Sequence, residues 1–183
     1  MGSPHFTLLV EDRAHELFVY RALETWGVRK QRIYVPPYPR GEGSGEQFVR
    51  DSFADFVNDV RRATSSKFLI VVTDADSLTV VDRRAQLIGK LAALELPSLS
   101  ADEPVVLLVP KRAIETWLAH VVSPMADEAT DYHHRFDGPR TAVACKEASK
   151  MLEGLINSTA SLGLPSLDAA RPDLLRIRSA AKS

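Results

Sequence analysis

The stretch that most constrains this chain is residues 67–76, KFLIVVTDAD, an apolar run that ends in two carboxylates one residue apart. Phe68, Leu69, Ile70, Val71, Val72 and Thr73 are strand formers, and nothing in the run breaks a sheet. Consecutive apolar positions without alternation suit a strand covered on both faces, as in a parallel sheet flanked by helices. Asp74 and Asp76 then fall at the carboxyl end of a central strand, where open α/β sheets hold their ligands. Side chains two apart on an extended chain point the same way. Two carboxylates on one side repel unless a cation lies between them, so this stretch reads as half of a divalent-metal site.

The other half is sought at the end of another strand. Residues 6–10, FTLLV, form a second short apolar run, followed at once by Glu11 and Asp12. In a parallel sheet both strand ends lie on one edge, so Glu11, Asp12, Asp74 and Asp76 can converge. Hard oxygen ligands suit Mg²⁺ or Mn²⁺, and the chemistry served by such an arrangement is phosphoryl transfer. The plainer alternatives are helix capping for Asp12 and turn chemistry for Asp76.

The remaining pattern supports an α/β domain. From Arg13 the period becomes helical, with Leu17, Tyr20, Ala22, Leu23 and Trp26 in a stripe that Gly27 stops. Residues 32–35 read as a strand ended by Pro36 and Pro37. A glycine-rich loop over 39–45 precedes a helix with Phe48, Val49, Phe53, Phe56, Val57 and Val60 on one face. After the TDAD sequence, Ser77 or Thr79 caps a helix carrying Val80, Val81, Leu87, Leu91 and Leu94. Residues 104–109, PVVLLV, are a fourth strand, and residues 113–122 a short apolar helix. Residues 123–138 are polar without period and read as a loop, in part mobile. Helices over 141–162 and 168–181 close the chain around the breaker Gly163-Leu164-Pro165. Alternating strands and helices imply a Rossmann-like three-layer fold with a central, mostly parallel four-stranded sheet. We assign residues 1–122 to this domain, and residues 123–183 to the loop and a helical C-terminal extension packed on it.

Charge and cysteine content exclude some functions. The formal net charge is −1, so no global basic field marks a nucleic-acid binder, and any such binding must be local. Cys145 is the only cysteine, which excludes an internal disulfide and a cysteine-based zinc cluster. No segment is apolar enough to span a membrane, and the first residues lack the pattern of a secretory signal, so a cytoplasmic location is expected.

The sequence LLVED early in the chain and VVTDAD after a third strand together resemble the Toprim domain of topoisomerases, bacterial primases and overcoming-lysogenization-defect nucleases. That resemblance covers about residues 6–120 and matches the family's strand-end Glu to Glu11 and its DxD to Asp74 and Asp76, which together would hold Mg²⁺. Residues 110–118, PKRAIETWL, are similar to a segment of small stand-alone Toprim-like proteins, often encoded beside ATPases in bacterial antiviral defence systems. The resemblance implies a Mg²⁺-dependent nuclease acting on DNA or RNA, with an ATPase partner and self-association both compatible with it. It also implies a lysine near the metals, a role Lys111 would fill. Glu115 would be a further acid, either binding a second ion or simply favouring a helix N-terminus. Two other readings stay open. One is a non-catalytic regulatory subunit of an ATPase complex. The other is a different metal-dependent phosphohydrolase, against which the absence of a D-x-D-x-T/V signature at the first strand argues.

Several further features carry less weight. Trp117 is expected in the core. The loop with Gly41, Gly43 and Gly45, beside Arg40 and Arg50, lacks nucleotide-binding spacing but suits contact with a nucleic-acid backbone. His133 and His134, near Asp127, Glu128 and Asp131, lack metal-ligand spacing and read as a solvated acidic loop. Arg171, Arg176, Arg178 and Lys182, with Lys146 and Lys150, form a basic end that either contacts phosphates or is a helix's outer face.

Overall fold

Strands β1 (His5–Val10) and β3 (Lys67–Val72) lie side by side and parallel, paired from His5 opposite Lys67 to Val10 opposite Val72. Strand β2 (Ile33–Tyr34) flanks β1, and β4 (Val105–Leu108) flanks β3, giving the order β2-β1-β3-β4 with every pairing parallel. The computed structural model describes residues 4–37, 45–136 and 138–183. The sheet is wholly parallel because each return runs through a helix: α1 (Arg13–Thr25), α2 (Gly45–Arg62) and α3 (Val80–Ala93). Helices α4 (Ile114–Val122), α5 (Pro139–Asn157) and α6 (Pro165–Ala181) follow.

Alternation along the strands divides the interior into two cores. Phe6, Leu8, Val10, Ile70, Val72, Val106 and Leu108 face the layer that holds Leu23, Trp117, Leu152 and Leu174. Leu9, Leu69, Val71, Val105 and Leu107 face Val49, Phe53, Val57, Leu87 and Leu91 on α2 and α3. This is the Rossmann-like three-layer arrangement read from the apolar runs. Burying each such side chain contributes about 1.5–3 kcal/mol, so the two central strands form a firm base for whatever follows them. The C-terminal helices belong to the same body: Trp117 is buried, stacks edge-on with Phe18 at 6.0 Å and donates from Nε1 to Ser166 Oγ at 2.8 Å.

Local chemistry sets several boundaries. Strand β2 is shorter than the 32–35 expected, because Lys30–Arg32 curl into a 3₁₀ turn before it and prolines follow. Helix α3 is capped by Thr79, whose hydroxyl accepts from Asp82 N–H at 3.0 Å; Ser77 is not the cap. The last two helices start earlier than expected, each with a proline in its first turn, Pro139 and Pro165, where the missing N–H costs nothing.

The polar segment after α4 is tied down at several points. Asp127 accepts from the N–H groups of Ala129 and Thr130, Glu128 accepts from Ser166 N–H at 2.7 Å, and Tyr132 is buried. The basic C-terminal residues are engaged within the fold. Arg176 donates to the carbonyls of Glu103 and Val105, Arg178 and Lys182 both reach Glu153, and Arg171 pairs with Asp168. Among the described residues no helix is long and apolar enough to cross a membrane.

Candidate metal centre

The strand order places the β1/β3 boundary at the switch point of the sheet: the chain leaves β1 toward β2 and leaves β3 toward β4. Ligands of open α/β sheets sit outside the carboxyl ends of the strands at such a point. Glu11 is the first residue after β1, and the register that pairs Val10 with Val72 sets it opposite Thr73. The Thr73 hydroxyl donates to Glu11 Oε1, and Asp74 N–H donates to the same oxygen at 3.1 Å. The two strand-end acids that the sequence singled out, Glu11 and Asp74, are thereby brought together.

A third residue joins them that the sequence reading passed over. His15, 1% exposed, lies in the first turn of α1 with Nδ1 2.8 Å from Asp12 Oδ1 and Nε2 3.0 Å from Asp74 Oδ1. One ligand atom each from Glu11, His15 and Asp74 lies within 4.8 Å of the others, the only such grouping among the described residues. The signal was present in the sequence: an acid pair followed by His at +4 from Glu11 and +3 from Asp12 turns the ring back over the strand end.

Asp12 does what its plainer reading implied. It caps α1, accepting from Ala14 N–H at 2.8 Å and His15 N–H at 3.1 Å. Gly45, at the start of α2, backs directly onto the Glu11 carbonyl, where any Cβ would overlap the backbone. The rest of the glycine loop, residues 41–44, and Arg40 lie outside the described residues, while Arg50 pairs with Glu46 at 2.9 Å.

The electrostatics follow from burial and pairing. Burial raises the Glu11 carboxyl to about 7, with Asp74 adding to the rise and His15, Thr73 and the Asp74 N–H opposing it. Burial works against a charged ring at His15, yet Asp74 and Asp12 hold it well above the ordinary imidazole value. Burial alone would raise Asp12, but His15 and two backbone N–H groups bring it down to about 2. In this form a buried imidazolium neutralises carboxylates that would otherwise repel.

Asp76 does not share this environment, which corrects the expectation that the two acids of the pair point the same way. The strand ends at Val72, and Asp76 adopts a left-handed backbone with φ of 53°. Its side chain is 58% exposed and lies 3.5 Å from Arg83, whereas that of Asp74 is 10% exposed. Lys111 is not aimed at the carboxylates either. Its Nζ donates to the carbonyls of Asp76 at 3.1 Å and Leu78 at 2.7 Å, and so pins the turn.

A second group forms on the outer side of this turn. Asp76, Ser77, Arg112, Ala113, Asp131 and His133 line a pocket of about 410 Å³. Glu115 is buried in the first turn of α4, with His133 Nδ1 3.2 Å from Oε1 and no hydrogen-bond partner for Oε2 among the described residues. Burial raises its carboxyl; its own N–H, His133 and His15 pull the other way. His133 is exposed, as expected of a solvated loop, and also forms a wall of this pocket. His134 stays exposed.

Comparison of the chain with protein-family models, curated proteins and solved structures gave no match. The assignment of chemistry therefore rests on the residues themselves.

Proposed function

We propose that the chain is a divalent-metal-dependent nuclease that hydrolyses phosphodiester bonds of DNA or RNA, working in the cytoplasm and, as the Toprim resemblance implies, beside an ATPase. The observation that carries this reading is the convergence of Glu11 and Asp74 at the switch point, from strands about sixty residues apart in sequence. Carboxylates gathered in such a place suit a cation, and hard oxygen donors suit Mg²⁺ or Mn²⁺. A bound ion would lower the pKa of a water and stabilise charge on a phosphoryl oxygen.

In this reading the chain's own groups divide the work. Glu11 and Asp74 hold the ion, and Thr73 and the Asp74 N–H orient Glu11 toward it. The outer pocket receives the substrate phosphate, with Arg112 as its cationic group, His133 as a hydrogen-bonding wall and the amino end of α4 beside it. Arg112 suits that use because its ion pair with Asp131 is long at 3.8 Å and exposed. Asp76, on the pocket wall, and Glu115, 3.2 Å from His133, would flank the phosphate or a second ion. Lys111 fixes the turn that presents Asp76.

The test is cleavage of single- and double-stranded DNA and RNA with Mn²⁺ or Mg²⁺. Glu11→Gln is expected to lower the metal-dependent rate about 1,000-fold while circular dichroism stays unchanged. Cleavage that survives this substitution would reject the assignment.

A further inference from the structure

Glu11 and Asp74 are not the only donors at the switch point. His15 offers a ring nitrogen within 4.8 Å of a carboxylate oxygen from each of them, and its geometry is that of a prepared ligand. We propose that His15 coordinates the ion through Nε2, making a mixed nitrogen–oxygen site that selects Mn²⁺ or another first-row transition ion over Mg²⁺. This rests on the metal-centre reading above and adds to it the identity of the third ligand and the class of ion.

Three observations carry it. First, the three ligand atoms lie within 4.8 Å of one another, a span that an ion with bonds of about 2.0–2.2 Å bridges after small side-chain adjustments. Second, Nδ1 lies 2.8 Å from a carboxylate, that of Asp12. Metal-bound histidines almost always donate their other ring N–H to a carboxylate, carbonyl or water, which fixes the tautomer and directs the free lone pair at the metal. Asp12 is itself immobilised as the cap of α1, so the ring has little freedom to turn away. Third, Asp76, the carboxylate that would complete an all-oxygen set, lies outside the group, turned by its left-handed backbone toward Arg83. Replacing that oxygen by an imidazole changes the preference, because imidazole suits transition ions whereas Mg²⁺ prefers oxygen and water.

Binding exchanges a proton for the cation. A metal-bound Nε2 carries no proton, so any proton on that nitrogen would pass to solvent as its lone pair turns to the metal. No oxidant or co-reactant is needed.

The experiment is pulsed electron paramagnetic resonance of Mn²⁺ bound to the full chain, with titration calorimetry for Mn²⁺ and Mg²⁺. The expected result is hyperfine coupling to one imidazole nitrogen, altered in protein made with ¹⁵N-histidine, which needs no substitution. Mn²⁺ is expected to bind at least about tenfold more tightly than Mg²⁺, and Asp12→Asn to weaken Mn²⁺ about 10- to 100-fold. Saturable Mn²⁺ binding without nitrogen coupling would overturn the role of His15 and leave the metal centre standing. No saturable binding of either ion would overturn both.

Discussion

The two acids of the TDAD sequence stand two residues apart and live in different worlds. Asp74 is nearly enclosed, its carboxylate on His15 and its N–H on Glu11; Asp76 lies in the open beside Arg83, Ser77 and Arg112. The inner group holds its charge away from water, with His15 as the counter-charge of Asp74. The outer pocket has cations and anions in contact with water, where exposed pairs contribute little. A short motif therefore does not define one site. The backbone between its members decides which acid is a ligand and which faces substrate.

That contrast is sharpest in activity. Asp74→Asn is expected to abolish cleavage as fully as Glu11→Gln does, while Asp76→Asn lowers the rate about 10- to 100-fold and leaves Mn²⁺ affinity within about threefold. Equal loss of metal binding in both variants would erase the distinction.

Stability gives the next largest difference. In metal-free protein, His15→Leu strands Asp74 in the interior without its counter-charge and is expected to cost about 3 kcal/mol, read by urea denaturation. Arg112→Gln, at the outer pocket, is expected to leave the midpoint unchanged. A neutral His15→Leu would mean that water, not His15, balances Asp74.

The pH dependence of the inner group follows from Glu11. Its folded value of about 7 exceeds the ordinary 4.5, so the folded state binds the extra proton between those values. This stabilising contribution is fully present below about 4.5 and is lost as pH rises through about 7. Its full size is on the order of 3 kcal/mol. Raised His15 works in the same direction at higher pH: its contribution is present below about 6.5 and lost as pH rises through its folded value. Metal-free protein is thus expected to weaken from pH 4.5 upward, and Glu11→Gln to flatten the lower part of that slope in denaturation curves. A wild-type slope of the opposite sign would show that Glu11 is not held protonated by burial.

Much of the inner group is legible in the sequence. The unalternating runs at β1 and β3 implied a parallel sheet, and parallel strands bring Glu11 and Asp74 to one edge. Asp12 as a cap and Trp117 in the core followed from ordinary helix chemistry. The outer pocket could not be read in the same way. In Ala75-Asp76-Ser77 the left-handed residue carries only the weak signal of an aspartate, where a glycine would mark it strongly. The path of Lys111 to two carbonyls and the approach of His133 to Glu115 depend on how α4 and the following loop pack, a tertiary outcome with no local pattern. His15 lies between these cases, with a legible spacing that a search for carboxylates alone passes over.

The central claim is best tested by anomalous diffraction from crystals soaked in Mn²⁺. The expected result is one strong peak bonded at about 2.0–2.3 Å to a carboxylate oxygen of Glu11, a carboxylate oxygen of Asp74 and Nε2 of His15. A peak confined to Asp76 and the outer pocket, or none at the switch point with Mn²⁺ in excess, would contradict the account.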